Sequence, residues 1–139
     1  MTVRLRQFRI KDDEPAVMLW QAAGLNISRS DSLAGIKRKL ERNAELFFVA
    51  EGEGKIIGVV MGSYDGRRGW VNHLAVSPGR QRSGLGTELM RELERRLKAR
   101  GCVKVNLHIE PANGRVQGFY ERLGYGRHEL IYMTKWLDE

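Results

Sequence analysis

The sequence predicts a single mixed α/β domain spanning residues 1–139. Three observations carry that reading. The length lies near the modal size of one domain. Apolar residues recur at helical spacing in some segments and alternate in others. No linker, repeat or low-complexity stretch divides the chain. Hydrophobic residues make up 42% and charged residues 29%, the balance of an ordinary soluble globular protein.

Val3, Leu5, Phe8 and Ile10 suggest a first strand, although Gln7 breaks a strict period of two. Asp12 or Asp13 then serves as an N-cap with Pro15 in the first turn, and Val17, Trp20 and Ala23 follow at helical spacing up to Gly24. Leu25 to Ser32 is polar and turn-rich. A second helix is expected from about Ser32 to Arg42, with Leu33, Ile36 and Leu40 on one face. Leu46 to Ala50 reads as a strand, joined through the turn Glu51-Gly52-Glu53-Gly54 to a strand over Ile56 to Met61. Asp65-Gly66 marks a turn before a strand over Trp70 to Val76. Leu85, Leu89, Met90, Leu93 and Leu97 form a helical stripe closed by Gly101. Val103, Val105, Leu107 and Ile109 alternate with polar residues, which predicts a strand. Asn113 is placed to cap a helix carrying Val116, Phe119, Tyr120 and Leu123, ended by Gly124. Leu130 to Leu137 reads as a final strand. The expected order is β-α-α-β-β-β-α-β-α-β.

Charge narrows the function classes. Lys and Arg total 24 against 17 acids, a formal charge of +7. Arg80 to Arg100 alone contributes seven cations against three acids. Such a field suits a polyanionic ligand, either nucleic acid or a phosphorylated cofactor, although a solvated helix face is the commoner meaning of a charge run. No apolar run approaches the ~20 residues of a membrane span. The start, MTVRLRQFRIKDDEP, lacks the features of a signal peptide. A lone Cys102 forms no intrachain disulfide, and a reducing cytoplasm is the expected compartment. No His, Cys and acidic residues stand at metal-ligand spacing, so no metal is expected.

The informative segment runs from Leu74 to Thr87: a strand end, a short basic loop, then Gly84 and Gly86 opening an amphipathic helix. The first N–H groups of a helix lack intrahelical partners, and its dipole places positive charge there. Gly84 and Gly86 let backbone approach a ligand closely, and Arg80 and Arg82 add charge. The pattern therefore reads as a pyrophosphate cradle. It is not a phosphate-binding loop of the Gly-Lys-Ser/Thr kind, nor the three-glycine dinucleotide fingerprint.

Gln81-Arg82-Ser83-Gly84-Leu85-Gly86 resembles the (Arg/Gln)-x-x-Gly-x-(Gly/Ala) signature of the GNAT superfamily of acyl-CoA N-acyltransferases. Leu74-Ala75-Val76 resembles the strand before it. Asn113 and Phe119-Tyr120-Glu121-Arg122-Leu123-Gly124-Tyr125 resemble the family's later motif. Met61 to Gly69 further resembles a short bacterial YpeA-like subgroup. The resemblance implies a mostly antiparallel mixed sheet flanked by helices. It also implies acetyl-CoA as the donor and direct attack by a primary amine in a ternary complex. On that basis Leu74, Ala75 and Val76 would pair with the pantetheine arm. Arg82, Ser83, Gly84, Leu85, Gly86 and Thr87 would wrap the pyrophosphate, with Asn113 also contacting the cofactor. Tyr120 matches the family's general acid, since a phenol with a pKa of about 10 stays protonated at neutral pH. Outside the motif, it would belong simply to the apolar stripe of its helix.

The base is less defined. One family branch carries an acid where this chain has Trp70, and another carries a glutamate where this chain has His108. His108 and Glu110 are expected on the polar face of their strand, where either could take the amine proton or relay it through water. His73 is a third candidate, expected against a helix. Two other function classes stand beside the enzyme: a catalytically silent acyl-CoA sensor and a basic nucleic-acid-binding module. The latter has no helix-turn-helix, zinc-finger or RNP pattern to support it. Leu25 to Ser32 and Tyr64 to Trp70 are candidate acceptor-lining segments. A small-molecule amine and a protein N-terminus both fit, and a homodimer is a family-level expectation.

Overall fold

The computed structural model describes residues 2–138. Its elements are β1 (Val3–Gln7), α1 (Asp13–Ala22), α2 (Leu33–Asn43), β2 (Phe47–Gly52), β3 (Lys55–Tyr64), β4 (Gly69–Val76), α3 (Leu85–Ala99), β5 (Val105–Leu107) and α4 (Gln117–Arg122). The five strands lie in the order β1-β2-β3-β4-β5. The first four are antiparallel, and β5 joins β4 in parallel.

The sheet separates two cores. In β2, Phe48 and Ala50 point to the α3 side, while Phe47 and Val49 point to the side of α1 and α2. Both sets are fully buried, which is why this run reads as continuously apolar rather than alternating. On one side Ala16 and Trp20 of α1 and Ile36 of α2 close the layer, with Phe8 stacked on Phe47 at 4.0 Å. On the other, α3 lays Leu85, Leu89, Met90, Leu93 and Leu97 on the sheet.

This helix comes very close, because the sheet is bare beneath it. A Cβ added at Gly58 would lie 2.8 Å from Leu89 Cδ1, and one at Gly62 only 2.5 Å from Leu93 Cδ1. At Gly69 it would lie 2.8 Å from Cys102 Sγ and 3.2 Å from Leu97. Three glycines on the sheet thus receive three leucines spaced four apart on the helix, a ridge set into a groove. The fully buried leucines have nowhere to retreat.

Local chemistry sets the joins. Ser32 Oγ accepts from Gly35 N at 3.2 Å, capping α2. Glu53 and Gly54 both take positive φ, 54° and 75°, the geometry of a two-residue hairpin loop. Asp12 precedes α1, yet its carboxylate does not cap it: Asp12 Oδ2 accepts from Arg9 N and from Arg6, tying β1 to the turn before the helix. Burial would raise the Asp12 carboxyl, but the Arg6 guanidinium outweighs it and holds the group below the usual range.

The pairing of β4 is irregular just where the sheet opens. Met61 pairs with His73 and Gly62 with Val71, so Asn72 is an extra residue, a bulge. Pairing between β4 and β5 covers Gly69–Val71 against Val105–Leu107 and then stops. Beyond that point the two strands part.

Three sequence expectations need correction. Residues 130–137 form no strand: Leu130, Ile131, Met133 and Leu137 are exposed, and the segment is held by side chains, with Arg29 against Asp138 and over the Trp136 ring. Strand propensity without a hydrogen-bonding partner does not make a strand. Asn113 does not cap α4, whose N-cap is Val116; it lies inside a 3-10 turn over Pro111–Val116, at φ −113°. The fifth strand is shorter than its alternation suggests, leaving Val103 87% exposed and His108 and Glu110 beyond its end.

Gly62→Ala is expected to destabilise the protein by about 1–3 kcal/mol, because the methyl group overpacks against Leu93. Gly79→Ala, where a Cβ meets nothing within 4 Å, should be close to neutral. Urea midpoints of the two variants measure the difference.

Candidate functional site

The loop from Ser77 to Gly84 carries the chain from β4 to α3 and presents backbone donors. Arg82, at φ 67°, and Gly84, at φ 87°, are both left-handed, and Gly84 is the helix N-cap. No side chain caps the helix. Glu88 N is the first amide to bond back, to Gly84 O at 3.0 Å. The amides of Gly84, Leu85, Gly86 and Thr87 are therefore the unspent donors at the positive end of a 15-residue helix. An anion is the natural partner of such a concavity. The two glycines serve different ends. Nothing lies within 4 Å of a Cβ placed on Gly84, which is needed for its backbone angle. A Cβ on Gly86 would lie 3.3 Å from the Phe119 ring, so Gly86 is needed for the contact with α4.

Beside the loop, β4 offers an open edge. Ser77 N donates to Ile57 O at 2.8 Å, so the alternation of an antiparallel ladder turns the backbone groups of Leu74 and Val76 away from β3. Val76 O accepts from Gln81 Nε2 at 3.3 Å on that side. The opening between β4 and β5 thus exposes strand backbone that runs directly into the loop of helix amides. The two ends of the Leu74 to Thr87 segment thereby form one continuous polar track.

Across the opening, α4 packs Phe119 and Tyr120 edge to face at 5.0 Å. Tyr120 also meets Tyr125 at 5.9 Å, and Tyr125 donates to Glu94 Oε2 at 2.6 Å. Burial pushes the Tyr120 hydroxyl up to about 12, so it remains a proton donor throughout the physiological range. Asn113 is buried, and its Oδ1 has no hydrogen-bond partner. A buried, unsatisfied carbonyl is costly unless a ligand supplies a donor.

The histidines occupy different settings. His108, just past the end of β5, is exposed, with Trp70 at 5.1 Å on one side and Tyr132 at 4.3 Å on the other. His73 follows the bulge and faces the α1 side, 4.8 Å from Trp20, with Nε2 2.9 Å from Asp31 Oδ1. Asp31 also accepts from Ser28 N at 3.1 Å. Burial raises the Asp31 carboxyl, but the His73 hydrogen bond and charge outweigh it and hold the group low. The sequence reading missed this pair: 42 residues separate its members, and no spacing rule links them. Glu110 is exposed at the N-cap of the Pro111–Val116 turn. Ser30, Tyr64, Asp65 and Trp70, from the two expected acceptor-lining segments, do meet around one cleft. Among the described residues no group of three or more His, Cys, Asp or Glu side chains is placed to hold a metal, and no helix is long and apolar enough to cross a membrane.

Residues 9–125 match the model of the acetyltransferase (GNAT) family. The fold is also that of several solved structures. Ard1 from Thermoplasma volcanium superposes with a TM-score of 0.82 at 22% identity, covering 93% of this chain and 86% of that one. The PaiA N-acetyltransferase from Thermoplasma acidophilum, solved with coenzyme A, gives 0.80 at 19% identity, covering 94% of each chain. AAC(6')-Iy, an aminoglycoside N-acetyltransferase solved with a bisubstrate analogue, gives 0.78 at 20% identity, covering 98% and 99%.

Because the folded state holds Asp31 below its ordinary value, that carboxylate stabilises the protein above the unfolded carboxylate pKa of about 3.9. The contribution is lost as pH falls through the depressed folded value. Asp31→Asn should therefore lower stability near neutral pH by about 1–3 kcal/mol. The gap to wild type should narrow below about pH 4, as read from urea midpoints across pH.

Proposed function

The chain belongs to the acetyltransferase (GNAT) family, and from that premise we propose that it transfers an acetyl group from acetyl-CoA to a primary amine. The observation that carries the reading is the continuous polar track, in which the free backbone edge of Leu74 and Val76 leads into the amides of Gly84 to Thr87. A pantetheine arm has amides to pair with such an edge, and its pyrophosphate suits the helix end. Ala75, between the two edge residues, faces the α1 side and keeps the strand in register. Arg82 and Ser83 shape the loop, and Asn113, in the turn that leads into α4, would contact the cofactor. Acetyl-CoA supplies the activated thioester.

The residues of this chain then divide the proton work. The amine nitrogen bonds to the acetyl carbon while the C–S bond breaks. Tyr120 gives its proton to the departing thiolate. Burial keeps that proton in place until then. His108 takes the proton that the attacking amine loses; it stands just past the last residue pairing β4 with β5, exposed and tilted against the Trp70 and Tyr132 rings. His73 offers a second reading, favoured by one observation: Asp31 fixes its ring as a carboxylate orients a general base.

Tyr120→Phe keeps the ring packing and removes the acid. Acetyl-CoA affinity by calorimetry should hold near wild type, while acetyl-CoA-dependent thiol release across a panel of amines falls by about 10²–10⁴-fold. Retention of full turnover would reduce Tyr120 to a packing residue. Acetyl-CoA binding with no transfer to any amine would make the protein a sensor. His108→Gln should flatten the acidic limb of the kcat/KM profile, with activity recovering as higher pH supplies free amine. If His73→Gln produces that change and His108→Gln does not, the base is His73.

A further inference from the structure

A cleft of 480 Å3 opens on the α2 side of the sheet, between that helix and the β3–β4 turn. Arg38, Lys39 and Arg42 line it from α2, with Ser63 and Trp70 opposite. Lys39 reaches inward and directs its ammonium at Gly62 O, Ser63 Oγ and Asn43 Oδ1. All three partners are neutral, so its charge is hydrogen-bonded but not balanced. Burial, with the nearby Arg42 charge, lowers Lys39 to about 8. Among the described residues neither Arg38 nor Arg42 pairs with a carboxylate. The acid of the cleft, Asp65, is committed elsewhere: its Oδ1 accepts from Arg67 N and Arg68 N, both at 2.7 Å, to form the turn. The α2 dipole accounts for a cation at Arg42, in the last helical turn, but not for Lys39 or Arg38.

A half-buried ammonium flanked by two unpaired guanidiniums favours an oxyanion, which guanidinium can bind in bidentate fashion. The cleft also adjoins the reaction centre. Trp70 forms its wall, holds His108 at 5.1 Å on its other side, and precedes by one residue the end of the β4–β5 pairing. Ser30 lines the cleft beside Asp31, the partner of His73. A molecule seated on the arginines would extend past Trp70 towards the opening, on the face opposite α3 and its loop.

We propose that this cleft is an oxyanion subsite, and that the amine acceptor is a small molecule bearing a carboxylate or phosphate beside its amino group. The proposal rests on the acetyl-transfer reading for the amine, but the anion site is tested separately. Inorganic phosphate and glycine are titrated against the isotopically labelled protein. Saturable shifts are expected at the backbone amides of Lys39, Ser63 and Trp70, with affinity falling about tenfold or more in the Arg38→Gln/Arg42→Gln double variant. Both arginines are exposed, so that variant should fold. In thiol-release assays glycine is compared with glycinamide, and 2-aminoethyl phosphate with ethanolamine. The anionic member of one pair should be favoured in kcat/KM by about tenfold, which also tells carboxylate from phosphate, and the double variant should lose that preference while keeping its affinity for acetyl-CoA. No saturable shift, shifts that survive in the double variant, or equal use of neutral and anionic amines overturns the proposal. Intact anion shifts without acetyl-CoA binding would uphold the anion site and sink the transfer reading alone.

Discussion

The closeness of α3 to the sheet is the constraint on which the rest of the structure depends. Gly58, Gly62 and Gly69 leave a bare lane, and Leu89, Leu93 and Leu97 fill it. Side-chain packing of this kind is stiff, because a buried leucine wedged against backbone has no alternative rotamer to adopt. The helix start is thereby fixed relative to the end of β4, the two ends that the loop must join. The same constraint runs onward to α4, since Gly86 in the first turn of α3 admits the Phe119 ring. The start of α3 and the Tyr120 helix are thereby positioned by van der Waals contact, and the hydrogen bonds of Gln81 to Val76 O and Ser83 to Arg80 O shape the loop between.

Positive charge is divided between the two faces of the sheet. On the α3 face, helix amides and the basic loop gather at one end of β4. On the α2 face, Arg38, Lys39 and Arg42 surround a cleft at its other end. The opening where β5 leaves β4 joins the two faces. On the proposed reading, an acyl donor and an anionic acceptor would approach from opposite sides without competing for one basic patch. Long-range attraction would draw both towards the protein, and short-range donors would sort them.

Much of this was legible in the chain itself, for identifiable reasons. The leucine stripe of α3, the Asp65-Gly66 turn and the glycines before α3 are local patterns, and local patterns survive folding. The helix start at Gly84 could be read because two glycines before an amphipathic stripe mark it, and a helix start has the same unspent amides in any fold. What escaped the sequence was non-local. The Asp31 and His73 pair depends on a loop folding back over the sheet. Arg38 and Arg42 are indistinguishable in sequence from the solvated face of an amphipathic helix; only the cleft gives them a setting. Residues 130–137 show the converse error, in which β-branched and aromatic residues implied a strand for which no partner ladder exists.

The bulge at Asn72 has a consequence for how β4 tolerates change. Before it, Gly69 and Val71 face α3; after it, Leu74 and Val76 do, three residues on rather than two. The strand is in effect written in two reading frames, joined at the point where the sheet opens. A substitution on either side alters one contact. Removing Asn72 itself would leave Val71 and His73 as neighbours opposite Gly62 and Met61, with every side chain on the face it has now, so the pairing with β3 would close up smoothly. The extra residue thus serves the local bend and not the packing: a strand shortened there would fit the sheet and keep its faces, and only the irregularity would be lost.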